Sequence, residues 1–99
     1  LRFEPPLAWP EFAEAIDLLL ATCGERILRV KGLVGVVGES APRVVHCVQH
    51  IRYPESVLPA WPDEDHGTRL VFIVRALARE VVEKAFRMFC GTAAQRDGG

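Results

Sequence analysis

Two histidines on either side of a cysteine are the side chains of this sequence best suited to binding a metal ion. His46, Cys47 and His50 stand in the run His-Cys-Val-Gln-His, and imidazole and thiolate groups are ligands that zinc prefers. The valines and the isoleucine around this run favour a strand over a helix. Because strand residues four apart are about 13 Å apart and Cys47 points to the opposite face from both histidines, we expect no local chelate. One of the three could still supply a single ligand to a site that another domain completes, and His50 is the first candidate.

The acidic run Asp-Glu-Asp-His-Gly at residues 63–67 is the second cluster that could bind a cation. Its carboxylates suit a hard ion, but the alternating ligand positions of a calcium-binding loop are not present. We therefore expect a solvated turn here rather than a metal site.

The sequence motifs of nucleophilic catalysis and of phosphate binding are missing. The two serines, Ser40 and Ser56, lie outside any G-x-S-x-G elbow. No G-x-x-x-x-G-K-[ST] loop is present, so the chain has no P-loop with which to hold a nucleoside triphosphate. The cysteines are odd in number, far apart and in hydrophobic surroundings, which is typical of buried thiols rather than of disulfides or catalytic nucleophiles. We expect no enzyme activity from this chain alone.

The composition is that of one globular domain without a strong charge. The chain has 99 residues, of which 49% are hydrophobic and 25% are charged, and its net charge is −1. This length is typical of a single domain with its own core. A charge so close to zero recruits neither nucleic acid nor an anionic membrane, and no apolar run approaches the roughly 20 residues that span a bilayer. We expect a cytoplasmic domain with no nucleic-acid partner and no membrane partner.

Helical periodicity marks two segments of the chain. In Pro10–Cys23 the apolar residues recur every three or four positions, acidic residues lie in the first turn, and Gly24 ends the run. Arg79–Cys90 has the same periodicity with one apolar stripe.

We expect the domain to span residues 1–91 and the small and polar residues 92–99 to form a disordered tail. The start of the sequence at a leucine rather than a methionine favours an excised fragment.

Between the helices the hydrophobic pattern alternates with a period of two, which predicts strands. They are expected at Ile27–Val37, Arg43–Tyr53 and Thr68–Arg75, with a short edge strand at Leu1–Glu4 and an ordered loop at Pro54–Gly67. Bulges or a close approach of the backbone are indicated at three glycines, Gly32, Gly35 and Gly38. The order (β)-α-β-β-β-α predicts an α+β fold of two layers, in which a mostly antiparallel sheet carries both helices on one face.

One face of the predicted sheet combines basic and apolar side chains. Alternation along the strands lets the helices cover Leu28, Val30, Leu70 and Phe72. It then places four basic residues on the opposite face, Arg29, Lys31, Arg69 and Arg75, interleaved with Leu33, Val71 and Ile73. An open face of this kind suits docking against a partner protein. Single-stranded RNA would require aromatic stacking platforms, and we expect none on this face.

Three stretches of the sequence carry a family resemblance. They are Arg29-Val30-Lys31-Gly32, then Val-His-Cys-Val-Gln-His at residues 45–50, and then Trp-Pro-Asp-Glu-Asp at residues 61–65 leading into Thr-Arg-Leu-Val-Phe-Ile at residues 68–73. In this order and spacing they resemble the C-terminal domain of CobW-type proteins. The resemblance extends from the first helix through Phe89.

The resemblance implies a role within a larger protein. CobW-like proteins are P-loop GTPases implicated in metal trafficking, and their GTPase domain lies N-terminal to the module that this chain resembles. GTP with magnesium, and zinc or cobalt, are therefore implied for the parent protein rather than for these residues. The implied role is that of an accessory domain whose partners are the N-terminal GTPase domain of the same chain and a metalloprotein client. The alternative is a module that supplies a histidine or cysteine ligand to the metal directly.

Overall fold

The computed structural model describes residues 1–3 and 6–90, which form two helices and an antiparallel sheet. In chain order the elements are β1 (Arg2–Phe3), α1 (Trp9–Cys23), β2 (Ile27–Val34), β3 (Arg43–Val48), β4 (Ile51–Arg52), β5 (Ser56–Val57), β6 (Thr68–Val74) and α2 (Arg79–Cys90). The predicted α+β fold with both helices on one face of the sheet is confirmed. Neither helix in this described part is long and apolar enough to cross a membrane. The predicted tail at residues 92–99 lies outside the described residues.

The sheet brings distant parts of the chain side by side. Its strand order is β1-β6-β2-β3-β4 with antiparallel neighbours, and β5 pairs with the other end of β3. The central strand β2 places Val30 opposite Phe72 of β6 on one side and opposite Cys47 of β3 on the other. Directly opposed residues of an antiparallel sheet point to the same face, so this register determines which side chains share each face.

The prediction of one strand over Arg43–Tyr53 is wrong in its second half, because the chain reverses within it. After β3, Gln49 adopts a left-handed conformation with a φ of 51°, and β4 returns from Ile51 antiparallel to β3. A positive φ is uncommon for a residue other than glycine, and no glycine, proline or asparagine marks this turn in the sequence. His50 therefore lies in a tight turn rather than on a strand with His46.

The segment Pro54–Gly67, predicted to be a loop without a strand, contains the short strand β5. Its residues Ser56 and Val57 pair with Val44 and Arg43 at the start of β3. Prolines at positions 54, 59 and 62 flank this pairing on both sides. They limit its length because proline donates no backbone hydrogen bond.

The core lies between the two helices and the sheet. We call the side of the sheet that meets the helices the inner face, and the opposite side the outer face. The side chains that α1 buries have the predicted helical spacing, namely Phe12, Ala15, Ile16, Leu19 and Leu20. From α2, Phe86 packs against rings of three other elements, with centroid distances of 5.2 Å to Phe3, 5.7 Å to Phe12 and 6.3 Å to Phe72. One side chain of α2 thus joins β1, α1 and β6.

The start of β2 departs from simple alternation. Ile27 is fully buried, whereas Leu28, which was expected to face the helices, is only half-buried. A register shift between Ile27 and Arg29 in the pairing with β6 is the cause, since an irregularity of this kind interrupts the alternation of faces. After the shift, Val30 and Val34 are buried as predicted.

Of the three glycines predicted to mark bulges or close backbone approaches, Gly32 lies at a close approach, whereas Gly38 has open space around it and a different role. At Gly32 an added Cβ would overlap the carbonyl oxygen of Arg69, so β2 and β6 approach closely at this point. Gly38, in the connection from β2 to β3, has a φ of 84°, a conformation that side chains disfavour.

Candidate functional site

The outer face carries a ladder of basic and apolar side chains on β2 and β6. Lys31 lies opposite Val71, and Arg29 lies opposite Ile73. Both basic residues are exposed, and the exposed fractions of Val71 and Ile73 are 64% and 50%. Because β2 is the central strand and is hydrogen-bonded on both sides, Arg29 and Lys31 project from a well-supported part of the sheet. The predicted mixture of charge and uncovered apolar surface is present here.

Exposed apolar surface continues on the other side of β2. Lys31 also lies opposite His46 of β3, and Tyr53 donates a backbone hydrogen bond of 3.0 Å to the carbonyl of His46. In the next row of the ladder, Ile51 lies opposite Val48. Ile51 and Tyr53 are 56% and 44% exposed. The basic residues of β2 are therefore flanked on both sides by apolar groups that water reaches.

Aromatic side chains are present on the outer face, which corrects the expectation that it has none. Tyr53 stacks on His46 with ring centroids 5.4 Å apart. At the end of the face, Trp61 stacks on His66 at 4.9 Å, and its ring lies 6.0 Å from the guanidinium of Arg69. The turn at residues 49–50 and the path of the following loop bring these rings to the sheet, and neither is visible in the local sequence pattern. Each ring already stacks on a histidine of the same chain, and the absence of a nucleic-acid partner stays a prediction.

The four basic residues predicted for this face differ in their exposure and in whether their charges are paired within the chain. Three are exposed, namely Arg29, Lys31 and Arg75. Arg69 is half-buried, and its guanidinium donates to the two carboxylate oxygens of Asp63 at 3.3 Å and to the backbone carbonyl of Asp65 at 2.8 Å. The charge of Arg69 is therefore engaged by the acidic loop, and the other three are the ones that a partner can reach.

Two of the three carboxylates of the acidic run, those of Asp63 and Asp65, face arginines. Asp65 accepts a hydrogen bond of 2.6 Å from the guanidinium of Arg2 and one of 3.0 Å from the backbone N–H of Gly67. The hydrogen bond from Gly67, followed by the one from Arg2, holds the pKa of Asp65 below its usual value. With the pair between Asp63 and Arg69, these contacts tie the loop to β1 and β6. The run bends back on itself, and two of its carboxylates, those of Asp63 and Asp65, form ion pairs within the chain rather than being simply solvated.

Acidification is expected to release this turn. Because the folded-state pKa of Asp65 is lowered, its hydrogen bonds stabilise the turn above the unfolded-state pKa of about 4, and this stabilisation is lost as the pH falls through the lower folded-state pKa. Trp61 reports on the turn in a Trp9→Phe background, since the chain has two tryptophans. Its fluorescence should change below about pH 4, and Asp65→Asn should produce much of that change at neutral pH. Glu64→Gln at the exposed neighbouring position is the control, and equal responses of the two variants would contradict this role for Asp65.

The three candidate metal ligands lie apart in the fold. His46 is on the outer face against Tyr53, and its Nε2 has no hydrogen-bond partner among the described residues. Cys47 is fully buried on the inner face, where burial raises the pKa of its thiol to about 11. The thiolate that a metal requires is therefore disfavoured. His50 lies in the turn beside Gly24, at the end of α1.

A polar groove lies next to His50, the first candidate ligand. Its volume is about 470 Å³, and its lining consists of Ala21, Thr22, Cys23, Glu25, Arg26 and His50. Across residues 1–3 and 6–90, however, no three histidine, cysteine, aspartate or glutamate side chains converge closely enough to hold a metal ion. The described residues therefore do not fit a complete zinc site.

Comparison with known proteins gives this fold a family context. A family model described as the cobalamin synthesis protein cobW C-terminal domain matches residues 1–90. The Zn(II)-bound YjiA GTPase from E. coli is 25% identical over 90% of this chain, with a TM-score of 0.79. A Zn(II)-bound triple mutant of the YjiA GTPase is 24% identical over 91% of the chain, with a TM-score of 0.80. The chain spans 28% of the length of each of these structures. A search of curated proteins finds no significant match.

Proposed function

This chain belongs to the family of cobalamin synthesis protein CobW C-terminal domains, and we propose that it is an accessory domain of a GTPase that works by protein contact through its outer face. Similarity to the YjiA GTPase over only 28% of its length supports a role as one part of such a protein. The sequence has no P-loop of its own, so the parent protein would hold GTP and magnesium in another domain.

The exposure of Val71 and Ile73 beside Arg29 and Lys31 carries this proposal. Two branched apolar side chains that are 64% and 50% exposed on a hydrogen-bonded strand leave apolar surface in water, and burying it against a partner is favourable. The adjacent cations supply orientation and selectivity more than raw affinity. The face therefore fits a partner surface that pairs apolar side chains with carboxylates.

The first partner that we propose is the N-terminal GTPase domain of the same chain, and the second is a metalloprotein client. GTP can shift the arrangement of two domains only if their contacts differ between nucleotide states. The outer face would then make different contacts in the GTP state and in the GDP state. In this way a domain without a P-loop would influence turnover or client release in the cytoplasm.

Zinc or cobalt enters this proposal as the cargo or ligand of the parent protein. Both solved relatives are described as Zn(II)-bound, which makes zinc the better supported of the two metals. The alternative function, in which this domain supplies a metal ligand directly, has its best candidate in His50, because the groove beside it also presents Cys23 and Glu25. It has less support than docking, because these side chains do not form a site among the described residues.

Reversal of two charges tests the docking proposal in the parent protein. Arg29→Glu combined with Lys31→Glu should change GTP turnover or weaken client binding by more than about tenfold, because like charges would then meet across the contact. The matched control reverses Lys84 and Arg87, two exposed cations on α2, on the other side of the molecule. Circular dichroism verifies that both variants are folded. Arg69 is left unchanged because its reversal would break the ion pair with Asp63.

The outcome separates an interaction face from a solvated one. If the variant at Arg29 and Lys31 is folded and has the turnover and client affinity of the control, then the outer face is not a docking surface. Exposed charges that make no contact contribute only about 0–1 kcal/mol, so their reversal would then have little effect.

A further inference from the structure

The edge of β6 that faces away from β2 is only partly covered. β1 pairs Arg2 with Arg69 and Phe3 with Thr68, and Leu1 continues this ladder opposite Leu70. The backbone nitrogen of Leu1 donates to the carbonyl of Leu70 at 2.7 Å, and the N–H of Leu70 donates to the carbonyl of Leu1 at 2.9 Å. Among the described residues, no strand pairs with this edge beyond Leu70.

Alternation shows which backbone groups are left without a partner at this edge. Since the N–H and C=O of Leu70 point to β1, those of Phe72 and Val74 point the same way, and those of Val71 and Ile73 point to β2. Two N–H groups and two C=O groups therefore face outward along the second half of β6. An uncovered edge of this kind is a template for one more strand.

A groove lined mainly by apolar side chains lies beside the same half of β6. Its volume is about 310 Å³, and its lining consists of Leu1, Leu70, Val71, Phe72, Val74, Leu77, Val82 and one charged residue, Arg79. Phe72, Val74 and Leu77 are half-buried side chains that pack against the core without being covered by it. A strand that paired with Phe72 and Val74 would point alternate side chains into this groove, because opposed residues share a face.

We propose that the residues preceding Leu1 in the longer protein continue β1 along β6, pair with Phe72 and Val74, and fill the groove. This proposal rests on the proposed function, because it requires this chain to be the C-terminal part of a longer GTPase. In the continued register, the second residue before Leu1 lies opposite Phe72 and the fourth lies opposite Val74. Both would point inward to the groove, where apolar side chains fit, whereas the first and third would lie on the outer face beside Val71 and Ile73.

The geometry at Leu1 favours this occupant over a separate peptide. β1 already runs antiparallel to β6, and the nitrogen of Leu1 occupies the position of a ladder N–H, so the preceding residue is directed along the free edge. A segment of the same chain is held at a high effective concentration, which a separate peptide lacks. The connection to the GTPase domain would then be a strand of the sheet that carries the outer face. A movement of one domain would reach the other through hydrogen-bonded backbone rather than through a slack linker.

Amide hydrogen exchange in the longer protein, followed residue by residue by NMR, tests the pairing. The exchange rates of the Phe72 and Val74 amides should lie within about tenfold of those of Val71 and Ile73. The amides of Val71 and Ile73 point to β2 whether or not a further strand covers the edge of β6. If Phe72 and Val74 exchange more than about a hundredfold faster than these neighbours, the edge is open and the proposal is wrong. The same measurement on the variant with Arg29→Glu and Lys31→Glu separates the two proposals, because loss of docking at the outer face leaves these amides paired.

An engineered disulfide tests whether the segment before Leu1 is the one that lies on the edge of β6. The residue immediately before Leu1 would form a non-hydrogen-bonded pair with Val71, with Cα atoms about 4.5 Å apart, which is within the range that a disulfide bridges. A cysteine at that preceding position together with Val71→Cys should form an intramolecular bond that mass spectrometry detects. The same cysteine with Met88→Cys on α2 is the control. Bonding to Val71→Cys alone supports the proposal, whereas bonding to neither, or to both equally, overturns it.

Discussion

Phe86→Ala is expected to lower the free energy of unfolding by about 3–5 kcal/mol. The side chain is fully buried and contacts the rings of Phe3, Phe12 and Phe72, so its removal leaves a cavity where β1, α1 and β6 meet. Three large neighbours on different elements cannot all move inward to fill that space. Urea denaturation followed by circular dichroism measures the change.

Met88→Ala, two residues further along α2, is the matched control for Phe86. Met88 is 66% exposed, so its truncation should change stability by no more than about 0.5 kcal/mol. If Phe86→Ala cost no more than this control, the packing between the helices and β1 would not be the principal support of the fold.

Gly32→Ala is expected to destabilise the domain by about 1–3 kcal/mol, even though alanine is the smallest possible addition. The new Cβ would overlap the carbonyl oxygen of Arg69 and lie 2.9 Å from the Cα of Leu70. Both are backbone atoms of the neighbouring strand and cannot rotate away as a side chain does. The strands β2 and β6 would have to separate at the centre of the sheet, close to the outer face proposed for docking.

Gly35→Ala tests whether the effect at Gly32 arises from the close approach of strands. The Cβ added at Gly35 would have its nearest neighbours at 3.4 Å, the carbonyl oxygen of His66 and the ring of Trp61. This is ordinary van der Waals contact, and replacing glycine at a compatible position stabilises by up to about 1 kcal/mol through the unfolded state. The two variants should therefore have opposite signs in the same urea experiment. Equal destabilisation by both would show that backbone freedom, rather than strand spacing, is what these glycines provide.

The sequence by itself predicted the two helices, the first residue of each of the three longer strands, and the family. The helices at Pro10–Cys23 and Arg79–Cys90 were predicted to within one residue of their observed ends, because helical periodicity reflects which face of a local segment meets the core. Alternation likewise placed Arg29, Lys31, Val71 and Ile73 on the outer face, since side chains of a strand change sides at every residue. These features depend on neighbours a few positions away in the chain.

Only the tertiary structure decided which of these residues have free charges and which surfaces remain open. Arg69 pairs with Asp63 across a loop, and Tyr53 reaches His46 because Gln49 adopts a positive φ that its residue type does not predict. The free edge beyond Leu70 follows from the strand order, which no local pattern contains. Each of these contacts joins residues whose proximity depends on the register and path of the whole chain. Local alternation therefore identified the outer face, whereas the availability of its charges and the open edge beside it required the assembled sheet.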